Sequence, residues 1–73
     1  MKYDRNKVMA LKEKYRPGTR IRLLHMDDEQ APPEGTEGTV VNVDDIGNIL
    51  MKWDNGSGLN LIPGEDQFEV INK

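Results

Sequence analysis

His25 is the single histidine of this 73-residue chain, and it stands just before an acidic run, Asp27-Asp28-Glu29. Imidazole beside carboxylates is the one arrangement here that suggests general-base or metal chemistry. Base catalysis also requires a group that orients the ring and a nucleophile within reach. No spacing in the chain supplies either, so His25 reads as a strand-end or loop residue. Asp27-Asp28-Glu29 and Asp44-Asp45 offer oxygen ligands for a hard cation such as Ca²⁺. Neither run follows EF-hand spacing, and adjacent carboxylates converge poorly on one ion, so both read as solvated loops and Asx turns. Gly56-Ser57-Gly58 is too short for a phosphate loop and lacks the Gly-Lys-Ser/Thr ending. The absence of cysteine excludes thiolate nucleophiles, disulfides and Cys-type zinc or iron–sulfur sites. No catalytic, cofactor-binding or metal-ligating residue is assigned, and no cofactor is expected.

Charge is the more informative signal. The net value of −3 conceals a split. Residues 1–22 carry eight Lys/Arg against Asp4 and Glu13, a charge of +6, whereas residues 23–73 carry Lys52 and Lys73 against eleven acids, a charge of −9. The basic segment makes Lys7, Lys12, Lys14 and Arg20 the candidate contacts for nucleic acid or another partner. The competing reading is that this segment balances or docks against the acidic body. Aromatic interleaving, which would favour bases stacked on a platform, is missing. Trp53 and Phe68 could form such a platform, but their parity places them with the apolar set of the strands.

These residues must be positioned by a small domain. A chain of this length buries only roughly 60% of its unfolded surface, leaving little room for an internal substrate pocket. A single domain is expected over 1–73, with a basic amphipathic helix at 3–16 and a β-barrel at 18–72. Asp4 is the expected N-cap. Val8, Leu11 and Tyr15 share a helical face, and Pro17-Gly18 ends the helix. From Thr19 the period changes to two. Ile21 and Leu23 mark a first strand, Thr36 to Val43 a second, and Ile49, Met51 and Trp53 a third. Leu59 and Leu61 mark a fourth, and Phe68 and Val70 a fifth. Gly38 inside the second strand suggests a bulge or a close approach. Asn55-Gly56 predicts a two-residue type I′ turn, which accounts for the Asn55-Gly56-Ser57 sequon without glycosylation. The expected inner face holds Ile21, Leu23, Val41, Val43, Ile49, Met51, Trp53, Leu59, Leu61, Phe68 and Val70. The helix stripe is expected to cover Leu24, Val40, Leu50, Ile62 and Ile71.

Five blocks carry a family resemblance. They are Tyr15-Arg16-Pro17-Gly18-Thr19-Arg20-Ile21-Arg22-Leu23, Met26-Asp27-Asp28, Ala31 through Val40, Val43-Asp44-Asp45-Ile46-Gly47, and Trp53-Asp54-Asn55-Gly56-Ser57. In this order they resemble the small bacterial and phage-associated domain-of-unknown-function family 4314, over roughly residues 14–71, with the basic helix outside. The resemblance implies an SH3-like barrel and no known reaction, substrate or catalytic residue. More loosely, Gly35 through Val40 is similar to the glycine-marked strand of KOW-type domains. Val43 through Leu61 is similar to a hairpin of Mind-bomb/HERC-type domains. Those folds bind RNA, ribosomal surfaces or peptides.

The expected architecture is thus mainly β: a small SH3-like barrel of about five antiparallel strands with a short N-terminal α-helix. The expected role is a non-enzymatic binding or adaptor module for a protein partner, met through barrel loops or an exposed strand edge. The Asp27–Gly35 loop and the Asp44–Asn48 turn are the candidate recognition surfaces. A nucleic-acid-binding accessory role for the basic helix is the alternative, and a small metal-dependent enzyme ranks third. Residues 1–22 contain no signal-peptide-like apolar run and no stretch reaches the ~20 apolar residues of a membrane span. Neither a membrane contact nor a small-molecule substrate is expected, and the expected location is cytoplasmic.

Overall fold

The computed structural model describes residues 4–71. The first element is helix α1, Arg5–Lys14. Asp4 caps it, its carboxylate accepting from the backbone N–H groups of Asn6 (2.9 Å) and Lys7 (3.3 Å), which satisfies donors that the first turn leaves free. The predicted limits of 3–16 shrink at both ends; Tyr3 lies outside the described residues. Tyr15 closes the helix, donating its N–H to Leu11 O. Gly18 then adopts φ +94°, a turn geometry that only glycine enters freely.

Among the described residues four strands follow: β1 (Arg20–His25), β2 (Glu37–Val43), β3 (Ile49–Trp53) and β4 (Gln67–Val70). They form one open antiparallel sheet in the order β3-β2-β1-β4. The last strand in the chain therefore lies beside the first, at an edge.

The predicted fourth strand at Leu59 and Leu61 reduces to a single bridge, in which Ile49 and Leu61 exchange backbone hydrogen bonds of 2.9 Å. Side chains supply the rest of the contact with β3. The Trp53 indole N–H donates to Leu59 O at 2.6 Å, and Met51 N–H donates to Asn60 Oδ1 at 3.2 Å. These bonds occupy groups that a regular ladder would have used.

The turn chemistry also differs from the sequence expectation. Among the described residues no non-glycine has positive φ, so Asn55-Gly56 is not a type I′ turn. Gly56 N–H donates to Trp53 O, Trp53 N–H donates to Ser57 O, and Gly56 alone takes φ +89°. The result is a three-residue loop closed by a left-handed glycine. Asp44–Asn48 repeats the device: Gly47 N–H donates to Asp44 O, Asp44 N–H donates to Asn48 O, and Gly47 takes φ +92°.

The core holds Tyr15, Ile21, Leu23, Val40, Val43, Ile49, Met51, Trp53 and Leu61, with Leu11, Met26 and Phe68 packed against it. Val41, predicted to face inward, is 53% exposed, and Val40 is buried in its place. The cause is a bulge in β2. Val40 pairs with Met51 and Asn42 pairs with Leu50, which leaves Val41 without an opposite residue and reverses the parity. Gly38 lies against Trp53; a Cβ there would meet Trp53 Cε3 at 2.7 Å. The helix does not cover the outer apolar residues as expected. Val8 and Leu11 lie beside Gly47, and Tyr15 meets Phe68 edge-to-face at 5.6 Å, so α1 closes the inner face. Leu24 and Ile62 stay exposed. No helix among the described residues is long and apolar enough to cross a membrane.

Candidate functional site

The outer face of the sheet carries an alternating ladder of charge. It follows from strand parity: Ile21 and Leu23 turn into the core, so Arg20 and Arg22 turn out. Arg22 Nη1 donates to Glu69 Oε2 on β4 at 2.8 Å, and Nη2 to Glu37 Oε2 on β2 at 3.4 Å. Arg20 Nη1 donates to Asp54 Oδ1 and Thr39 Oγ1, each at 2.9 Å. Its Nη2 donates to Asp54 Oδ2 at 2.6 Å and to Glu37 Oε1 at 3.4 Å. Hydrogen bonding to Asp54 raises the Arg20 pKa, bonding to Glu69 raises that of Arg22, and the Arg20 guanidinium draws the Asp54 carboxyl below its ordinary value.

The four candidate contact residues therefore do not form one basic surface. Arg20 is committed to this ladder. Lys12 donates to Asp45 at 3.3 Å, linking α1 to the β2–β3 turn. Lys14 Nζ stands 5.4 Å from the centre of the Tyr15 ring. Lys7 is exposed and forms no ion pair among the described residues. Lys12, Arg20 and Arg22 of the basic segment are thus paired with acids of the −9 body. A surface cleft of about 310 Å³ lies where α1 meets the turn, lined by Arg5, Val8, Met9, Lys12 and Asp45.

The carboxylate runs have turn roles. Asp44 Oδ1 accepts from Ile46 N–H (3.1 Å) and Asn48 N–H (2.8 Å), and Asp28 Oδ1 accepts from Gln30 N–H (2.7 Å). His25 ends β1 and contacts Glu34 through Nδ1 at 3.2 Å rather than the acids that follow it in sequence. Among the described residues no three His, Asp or Glu side chains gather as metal ligands. Trp53, with its indole N–H bonded inside, is a core residue and not a platform.

The sequence predicts an exposed strand edge but not which strand provides it. The sheet order makes β3 and β4 the two edge strands among the described residues; the Ile49–Leu61 bridge, Trp53 N–H to Ser57 O and Met51 N–H to Asn60 Oδ1 occupy the outward groups of β3, which leaves β4 as the edge paired with β1 alone. Val70, predicted to be an inner residue, is 42% exposed, on a strand that pairs with no described strand beyond β1. The local signal was the final apolar-polar alternation of Gln67–Val70. That it pairs with β1 needed the three-dimensional structure.

Taken together, the described residues define a small mainly-β domain: four antiparallel strands in one open sheet, one short helix and an outer charge ladder. The family model described as Domain of unknown function (DUF4314) matches residues 4–71, and the chain belongs to that family. The matched span includes α1, which the sequence reading placed outside the resemblance; the burial of Val8 and Tyr15 makes that helix part of the fold. Comparison with curated proteins and with solved structures returned no match.

Proposed function

We propose that this chain is a small non-enzymatic binding or adaptor module of the cytoplasm, built on an SH3-like barrel plan, whose partner is a protein that adds a strand to β4. The observation that carries the reading is the open β4 edge, with Phe68 half-buried and Val70 half-exposed beside it. Extended peptides bind such edges through main-chain hydrogen bonds, and their alternate side chains give specificity. The barrel plan is supported by the β2 bulge and by the Ile49–Leu61 bridge, which folds the segment after β3 back along it.

The chain has no cysteine, so Gln67→Cys provides a unique attachment point at the edge for a photo-cross-linker. Irradiation in a native lysate is expected to give a nuclease-resistant protein adduct from this position and not from a Lys52→Cys control on β3. Equal capture at both positions, or recovery of nucleic acid alone, overturns the reading.

The nucleic-acid alternative rests on Lys7 and Lys14. They are seven residues apart on α1, so they project within about 20° of each other, and neither forms an ion pair among the described residues. It requires binding to DNA or RNA that weakens steeply as salt rises.

A further inference from the structure

We infer that the β4 edge takes an extended peptide alternating apolar and basic residues, whose Lys or Arg continues the Glu37–Arg22–Glu69 charge ladder by one strand. This rests on the edge-binding reading above and names the chemistry of the partner.

The backbone defines the contact. Arg22 is opposite Glu69, and Ile71 N–H donates to Arg20 O at 3.0 Å. In an antiparallel ladder the backbone groups alternate in direction, so the N–H and C=O of Phe68 and Val70 point away from β1. They are the groups to which an added strand would bond.

The side chains define what that strand must carry. Phe68 lies opposite Leu23 and Val70 opposite Ile21, on the inner face. An added strand therefore places apolar residues beside Phe68 and Val70, where they cover the exposed part of Val70. On the outer face the charges alternate by strand: Glu37 on β2, Arg22 on β1, Glu69 on β4. The series stops on an acid at the open edge, and Glu69 retains 45% of its side-chain exposure. Residues 61–71 add Glu65 and Asp66 and contain no Lys or Arg. A cation opposite Glu69 is favoured and an anion opposed.

The same geometry disfavours a second copy as the occupant. Only one antiparallel register of two β4 strands uses both free positions of each, pairing Phe68 of one with Val70 of the other. That register sets Glu69 directly opposite its own counterpart, a like-charge pair.

The test uses the full chain and three short acetylated peptides: Lys alternating with Val, Glu alternating with Val, and the Lys/Val composition in two blocks. Affinity and amide hydrogen exchange at Phe68 and Val70 are read by NMR. The alternating Lys peptide is expected to slow exchange at both amides and to bind at least about fivefold more tightly than the Glu peptide. Glu69→Gln should remove most of that preference, and Glu69→Lys should reverse it. If the Glu or the block peptide binds as well at these amides, the inference falls while edge binding stands. If no peptide protects them but the Gln67→Cys cross-link still captures a protein, the inference again falls alone. If the cross-link also fails, both readings fall.

Discussion

Arg20 holds Asp54 with both arms of its guanidinium, at 2.9 and 2.6 Å, and so ties the basic N-terminal segment to the loop that follows the only tryptophan. The pair spans the sheet from β1 to the end of β3. It turns what looks in sequence like a binding residue into a structural one. Arg20→Ala is therefore expected to lower Tm, whereas Lys7→Ser leaves Tm unchanged. Thermal melts followed by circular dichroism check both; the reverse ranking would return Arg20 to the role of a ligand contact.

The pair also sets an acid response. Asp54 has a folded-state pKa below its ordinary value of 3.8, chiefly through the hydrogen bonds from Arg20. The unfolded chain thus binds this proton at higher pH than the folded chain does. The stabilisation is fully present above the ordinary carboxylate range and is lost as pH falls through the folded-state pKa. Asp54→Asn should be less stable than the parent at pH 7, with the gap closing below about pH 4. Urea midpoints from pH 7 to pH 2 measure it, and a gap that stays constant would contradict the assignment.

Trp53 is nearly fully buried and its indole N–H is satisfied by Leu59 O. Trp53→Ala should destabilise by about 3–5 kcal/mol, a large share of the stability of so small a domain. Trp53→Phe keeps most of the packing but drops the hydrogen bond, at a cost of about 1 kcal/mol beyond the lost volume. Urea unfolding followed by far-ultraviolet dichroism distinguishes them. Retention of full stability by Trp53→Ala would make the indole a binding surface.

Gly38→Ala tests the close approach directly. The added methyl meets Trp53 Cε3 at 2.7 Å and Lys52 O at 3.0 Å, and neither a core indole nor a ladder carbonyl yields easily. A loss of about 1–3 kcal/mol is expected, together with a shifted emission maximum for the sole tryptophan. An unchanged midpoint would show that the strands separate freely.

Gly47→Ala probes helix docking. Gly47 sits at φ +92°, and an added Cβ would stand 3.4 Å from Leu11 Cδ1. The strained turn is expected to cost about 1–2 kcal/mol and to speed proteolysis within α1. Cleavage of α1 at the parental rate would mean that the helix docks independently of the turn.

Local chemistry accounts for what was legible in the sequence. Asp4 caps α1 because a carboxylate meets free N–H groups wherever a helix begins. Pro17-Gly18 ends the helix, and alternation places Ile21, Leu23, Ile49, Met51 and Trp53 inside, all from neighbours in the chain. The glycine at Gly38 signals a close approach, though not that the contact is the Trp53 ring. Period-two counting puts Val41 inside, whereas a bulge adds one residue against the partner strand and turns it out, and such counting carries no information about the partner. Leu59 lost its strand because its carbonyl is taken by an indole six residues away.

The functional surface shows the same division. The +6 segment and the −9 body are fixed by composition, as is the presence of a final apolar-polar strand. Which cations meet which acids is decided only when β1 lies between β2 and β4. That order brings Glu37, Asp54 and Glu69 around Arg20 and Arg22, and among the described residues no strand pairs with the far side of β4. Alternation and capping are properties of adjacent residues, so the sequence determines them alone. Pairing order is a property of the closed core, and it required the tertiary structure.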